Sequence, residues 1–339
     1  MTIQSADQSP TDVPDLAARK ASPVPVIIGL VVVAAGGALV PMVVSSQLAL
    51  TLMTQAVINA VLATAIGFMI RQNGLTSFGH AAFFGLAAYA VGLNGKFGTF
   101  PAEIAILLAI AVPAILAFFA GLVIVRLPGL AFSMLTLAVA QAVHEIFLRW
   151  RDLANGDDGM AVRLPSRLFG LEVEVFQQPA TMFVVCWVAL FIVIALLWTI
   201  SRSRFGLLTL AIRENEERTR YIGYETLVPR AIIYALSAAV GALAGVLFVL
   251  YNAFVSPGAL HWVLSGEALV MAVIGGTQAI WGPALGAVIF FLFKDAAGDF
   301  TEHWPAIIGG TLIVVTVLLP HGISGVITDL VSRLKARFR

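Results

Sequence analysis

Long apolar runs joined by short polar segments dominate the chain. The runs fall at about 24–44, 48–70, 78–94, 103–125, 130–148, 181–200, 230–252, 266–280, 283–297 and 304–320. A helix rising about 1.5 Å per residue needs about 20 apolar residues to cross a hydrocarbon layer of roughly 30 Å. Each run is near or somewhat below that length. The pattern therefore predicts an all-α, polytopic membrane protein with about ten transmembrane helices in residues 23–322. Two polar stretches, 149–180 and 201–229, are the long interruptions.

Composition agrees with the pattern. The 339 residues are 60% hydrophobic and only 12% charged, with mean hydropathy +0.96. A water-soluble domain carries about 25% charged residues, so lipid is the solvent of this chain. The net charge of +1 comes with no basic stripe, and no nucleic acid partner is expected. The single cysteine, Cys186, lies in an apolar run and reads as core filler. Residues 1–22 hold Asp7, Asp12 and Asp15 with two prolines. That is not the basic start of a signal peptide, and it predicts a disordered cytoplasmic tail.

Charge sets the orientation. Residues 201–229 carry Arg202, Arg204, Arg213, Arg218 and Arg220, which places this stretch in the cytoplasm by the positive-inside rule. Alternation then puts Arg19, Lys20, Arg71, Arg126, Arg230, Arg333, Lys335, Arg337 and Arg339 inside. It leaves Lys96, Arg149, Arg151, Arg163, Arg167 and Lys294 outside. The inside excess predicts both termini in the cytoplasm and 149–180 as a periplasmic loop. Residues 323–339 mix Val326, Ile327, Leu330, Leu334 and Phe338 with basic groups, the pattern of an amphipathic helix on the inner membrane surface.

Within 201–229 a helix is expected from about Leu207 to Ile222, ending at Gly223. It would set Glu214 one turn before Arg218 and Glu216 one turn before Arg220. Such a helix is either a docking surface or a merely solvated loop. In the periplasmic loop, Asn155 to Gly159 is a turn sequence. Asp157 and Asp158 lack the remaining calcium-ligand spacing, so a solvated turn is expected and no metal site.

Glycine-interrupted, short spans point to a transport path. Gly74 to Gly85 contains Ser77, Phe78 and His80; Ser265-Gly266-Glu267 opens a second such region, followed by Gly275-Gly276 and Gly282-Pro283. Each sets a small-residue turn and an ionisable group at a helix start. They open the third and eighth runs, five apart, which predicts an inverted five-plus-five repeat. The pathway candidates are Asn59, Ser77, Phe78, His80, Gln141 and Glu267. The competing roles are a helix-start acceptor for Glu267, a structural hydrogen bond for His80, and helix bridging for Asn59, Gln55 and Gln141. Gly241-x-x-x-Gly245 and Gly282-x-x-x-Gly286 are expected to allow close helix approach. No phosphate loop, His-Glu-x-x-His or Gly-x-Ser-x-Gly occurs. These absences count against a membrane enzyme, and no catalytic residue or cofactor is expected. A stand-alone carrier or channel, or a non-conducting scaffold, are the rival classes.

Three motifs in order carry a family resemblance: Gly74-Leu-Thr-Ser-Phe-Gly-His-Ala-Ala-Phe-Phe-Gly-Leu-Ala-Ala-Tyr89, Arg204-Phe-Gly with Ala211-Ile-Arg-Glu-Asn-Glu-Glu-Arg218 and Ile222-Gly-Tyr224, and Ser265-Gly-Glu with Gly275-Gly and Gly282-Pro-Ala-Leu-Gly286. Together, over residues of about 50 to 325, the chain resembles the membrane permeases of branched-chain amino acid ABC importers, and specifically the longer of that system's two permease subunits. The resemblance implies a bacterial inner-membrane subunit paired with a second, homologous permease. It also implies two cytoplasmic ATPase subunits and a periplasmic substrate-binding protein. The central loop would be the coupling helix, with Arg213, Glu214, Glu217, Arg218, Tyr221 and Gly223 as the ATPase-coupling residues. Relatives in this group serve urea, short amides and aromatic acids, so those solutes stand as alternatives. The acidic turn at Asp157 and Asp158 departs from the neutral or singly acidic turn expected there.

Overall fold

Lipid offers the backbone no hydrogen bonds, so spans must close their own ladders. The computed structural model describes residues 36–300 and 322–337 except 38, 45, 165, 166 and 169, together with 306, 309, 310, 313 and 319. Its main helices are α1 (Gln47–Asn73), α2 (His80–Phe97), α3 (Ala102–Ile124), α4 (Gly129–Arg149), α5 (Pro179–Arg202), α6 (Arg204–Glu214), α7 (Glu216–Tyr221), α8 (Leu227–Asn252), α9 (Trp262–Gly275), α10 (Gly282–Phe300) and α11 (Gly322–Arg337). Helices α1, α3, α4, α5 and α8 are long and apolar enough to cross a membrane, and α9 and α10 contribute shorter apolar helices. The chain is a multi-pass, all-α membrane protein. The expected tail 1–22 lies outside the described residues, as do most of the runs 24–44 and 304–320.

Helix α1 is the hub, enclosed by α5, α8, α9 and α10. It buries Val57, Ile58, Val61, Leu62, Ile66 and Phe68. Helix α8 packs on α1, α2 and α3. Outward faces are apolar, as lipid requires: Leu107, Leu116 and Phe119 on α3, and Leu130 and Met134 on α4, are exposed. The expected small-residue contacts form. A Cβ at Gly245 of α8 would strike the Phe84 carbonyl oxygen of α2, and one at Gly286 of α10 would strike the Met271 carbonyl oxygen of α9.

Short strands, which the apolar pattern gave no sign of, tie one end of the bundle. β1 (Met160–Ala161) pairs antiparallel with β4 (Phe254–Val255), and β2 (Arg167–Leu168) pairs with β3 (Leu171–Glu172). At this end Lys96 Nζ donates to the Asp152 carbonyl at 2.9 Å. Asn155 to Gly159 forms the expected turn, with a 3-10 segment at Gly156–Asp158. The opposite end carries α6 and α7, and is called the arginine-rich end here.

Two helices begin inside the bundle rather than at its surface. His80, the first residue of α2, meets Ser237, ten residues into α8. Ser237 in turn meets Ala65, eight residues before the end of α1. At 1.5 Å per residue this places the start of α2 about 12–15 Å from the arginine-rich end. Helix α9 starts at the same level, because Ser265 Oγ accepts from the Ala81 N–H at 2.7 Å. The irregular segment 74–79 enters from the arginine-rich end and 253–261 from the other.

Two sequence expectations shift. Helix α9 opens at Trp262, capped by His261 Nδ1, so Glu267 sits in its second turn and is not a helix-start acceptor. The helix expected over 207–222 is two helices, broken at Asn215. The Asn215 side chain accepts from the Arg218 N–H at 2.8 Å, and this N-cap starts α7 afresh.

Candidate functional site

The mid-bundle junction is built from segment 74–79, which leaves backbone groups without helical partners. Side chains of α4 supply them. Thr136 Oγ1 accepts from Phe78 N at 3.2 Å, and Ser133 Oγ donates to the Thr76 carbonyl at 2.7 Å. Ser77 Oγ accepts from Gly79 N at 3.1 Å. Gly79 precedes α2 and has no side chain to cap it, so Ser265 of α9 caps it from across the bundle. Irregular backbone at membrane depth is tolerated only with such partners.

His80 is fully buried. Its Nε2 lies 2.6 Å from Ser237 Oγ, and Ser237 Oγ donates to the Ala65 carbonyl at 2.6 Å. A hydroxyl has one proton, so Nε2 must be the donor to Ser237. Nδ1 is then a bare acceptor, and it has no hydrogen-bond partner. Aromatic rings lead away from this junction. Phe78 meets Trp262 edge-on at 6.4 Å, Trp262 lies 5.8 Å from His261, and His261 lies 5.0 Å from His144 of α4.

The other pathway candidates do not join His80. Glu267 faces α10 and pairs with Lys294 at 2.9 Å. Gln141 Nε2 donates to Glu145 one turn along α4 at 3.2 Å, and its buried Oε1 has no partner. Asn59 bonds the Gln55 carbonyl in its own helix at 2.9 Å. Helix bridging is left to Gln55, which donates to Asn252 of α8 at 3.1 Å.

At the arginine-rich end, α6 and α7 form a braced, exposed element. Gln72 Nε2 donates to Ser201 Oγ at 2.6 Å, and Gln72 Oε1 accepts from Thr209 of α6 at 3.0 Å. Arg213 donates to the Arg71 carbonyl at 2.7 Å. Glu216 binds Arg230 at 2.7 Å, Arg220 at 2.8 Å and Thr226 at 2.9 Å. The expected Glu216–Arg220 pair is thus present. The Glu214–Arg218 pair is not, because the break at Asn215 rotates α7 away; Glu214 lies 3.5 Å from Arg213 instead. Gly223, at φ 97°, closes α7 as expected. Its N–H reaches the Arg220 carbonyl at 2.9 Å, and that of Tyr224 reaches Thr219 at 3.3 Å. This is the paired bonding of a left-handed glycine stop. Glu214, Glu217, Arg218 and Tyr221 are left exposed, Tyr221 at 91%. Ile222 and Tyr224 stand exposed beside them.

Sequence reasoning missed Ser237, Lys294 and Glu216 as site residues. The signal for Lys294 was present: it is an ionisable group inside the run 283–297, which alternation had assigned to an outer loop. Ser133 and Thr136, three apart in an apolar run, are the mark of a polar stripe on α4.

Residues 48–317 match the family described as branched-chain amino acid transport system / permease component. The chain is 25% identical over 290 residues to the high-affinity branched-chain amino acid transport system permease protein LivM of Salmonella typhimurium, covering 80% of this chain and 68% of that protein. It is 30% identical over 145 residues to the permease protein BraD of Pseudomonas aeruginosa, covering 42% and 46%. It is 28% identical over 148 residues to the permease protein LivH of Escherichia coli, covering 43% and 48%. No solved structure matches the chain. The family match spans most of the chain, from α1 to beyond α10, and takes in the mid-bundle junction and the arginine-rich element alike: the chain belongs to the permease components of branched-chain amino acid transport systems.

Proposed function

We propose that this chain is a permease subunit of an ATP-driven importer for branched-chain amino acids or similar small solutes, in the bacterial inner membrane. Its partners are a second homologous permease, two cytoplasmic ATPase subunits and a periplasmic binding protein. The observation that carries this reading is the α6–α7 element. Its inner side is pinned to α1 and α8 by Gln72, Arg213 and Glu216. Its outer side presents Glu214, Glu217, Arg218 and Tyr221 with the exposed apolar Ile222. A stand-alone carrier has no use for a rigid exposed lever.

The bracing offers a route for force. Helices α1 and α8 hold the Ala65–Ser237–His80 chain. Motion imposed on α6–α7 would therefore reach the start of α2 at mid-membrane. ATP drives transport only by biasing the permease between two states. Buried irregular segments that meet at mid-depth are the elements such a bias can reorganise. Their entry from opposite ends supports an inverted five-plus-five repeat, with the arginine-rich end and both termini in the cytoplasm.

The path itself runs past Phe78 of segment 74–79, Gln141 and Glu145 of α4, and Glu267 of α9, against the second permease. Charged groups at membrane depth face protein or a wet cavity, not lipid. Reconstitution with the partner subunits tests the function. The expected result is leucine uptake that requires both ATP and the binding protein. Uptake driven by an ion gradient without ATP would instead make this a stand-alone carrier.

A further inference from the structure

Glu267 of α9 and Lys294 of α10 form an ion pair, with Lys294 Nζ 2.9 Å from Oε1 and 3.1 Å from Oε2. Glu267 is eight residues from the Gly275 end of α9, and Lys294 is twelve from the Gly282 start of α10. Both therefore lie about 12–18 Å from the arginine-rich end, near the middle of a hydrocarbon layer of roughly 30 Å. Yet the pair is not closed off: the Glu267 side chain is 25% exposed and that of Lys294 is 32% exposed. Lipid cannot serve that exposure, so the pair opens onto protein or water.

A tie between α9 and α10 does not explain it. Those helices already meet backbone to backbone at Gly275, Gly282 and Gly286. A buried pair also contributes little net stability over apolar packing. What a half-open pair does offer is a carboxylate and an ammonium at one point in mid-membrane.

We propose that Glu267 and Lys294 form a zwitterion-exchange site. The Glu267 carboxylate takes the ammonium of an α-amino acid in transit, and the Lys294 ammonium takes its carboxylate. The pair opens and re-pairs with the solute, so every charge keeps a counter-charge and the net charge does not change. Gly266, beside Glu267, approaches the Phe78 ring, which meets Trp262 edge-on. An aliphatic side chain finds an apolar wall there. Neutral solutes such as urea or short amides place no such demand, so the site selects zwitterions. This inference rests on the importer reading above.

The test is leucine uptake by the complete importer in vesicles, with wild type and two double variants. E267Q/K294M removes both charges of the pair together. E267K/K294E keeps an ion pair but reverses it. Both should assemble with the ATPases and retain stimulation by the binding protein. E267Q/K294M should lose leucine uptake about tenfold or more, the loss expected when a charged solute group is left unpaired. E267K/K294E, which still offers a carboxylate and an ammonium, should retain more uptake than E267Q/K294M. Wild-type uptake rates in E267Q/K294M would reduce the pair to a helix tie and overturn the proposal, as would an E267K/K294E importer no better than E267Q/K294M. A wild-type importer that moves urea or acetamide with ATP but not leucine would also overturn it, while leaving the importer reading intact. Wild-type vesicles that move no solute with ATP would overturn the importer reading itself.

Discussion

Single hydrogen bonds decide how the junction at mid-membrane is held. Ser265 caps α2 from another helix, so Ser265→Ala leaves the Ala81 N–H unpaired in a dry interior. A lost cap costs about 0.5–2 kcal/mol, and thermal unfolding of the purified protein should fall accordingly. The Ser237→Ala change should cost about 1–3 kcal/mol, since it strands the Nε2–H of His80. Unchanged melting in both variants would mean the junction is not a structural joint. His80 was legible in the sequence as either a path element or a structural hydrogen bond. Its Nε2 serves the second role, while its unpartnered Nδ1 leaves the first open. Its partner Ser237 was not legible, because a serine 157 positions away carries no local signal of contact.

At the level of elements, apolar run length located the helices, and glycine spacing located their close contacts. Gly245→Leu should force α8 off the Phe84 carbonyl oxygen of α2. Overpacking of this kind costs about 1–3 kcal/mol and should appear as lower expression and earlier unfolding. What the run lengths did not reveal is that α2 and α9 start inside the bundle. A half-span and a shortened full span have the same apolar pattern, and only the contacts at Ser237 and Ser265 separate them. The break at Asn215 escaped notice for a related reason. Charge pairs four apart favoured one continuous helix, whereas the Asn215 side chain competes for the backbone and restarts the helix. Replacing Asn215 with Ala should remove that cap. The expected outcome is a longer α6, observable as a Glu214–Arg218 pair in a structure of the variant, and weaker coupling to the ATPases.

For the whole molecule, arginine placement predicts the orientation, which would join the lever at one face to the exchange site in the middle. Cys186, the one cysteine of the chain, is buried, so a single introduced cysteine reports cleanly on topology. Asn215→Cys should resist a membrane-impermeant thiol probe in intact cells and react after the inner membrane is opened. Asp157→Cys in the opposite loop should react from outside once the outer membrane is permeable. The reverse pattern would invert the molecule and remove the lever from the ATPases. The central claim is that α6–α7 transmits ATPase motion, and E214K/E217K tests it most directly. Both side chains are exposed, so the double variant should fold within about 0.5 kcal/mol of wild type. In vesicles holding the complete importer, leucine uptake and binding-protein-stimulated ATP hydrolysis are measured together. The prediction is that uptake collapses and hydrolysis no longer responds to the binding protein. Wild-type values for both would contradict it and leave α6–α7 as a solvated loop.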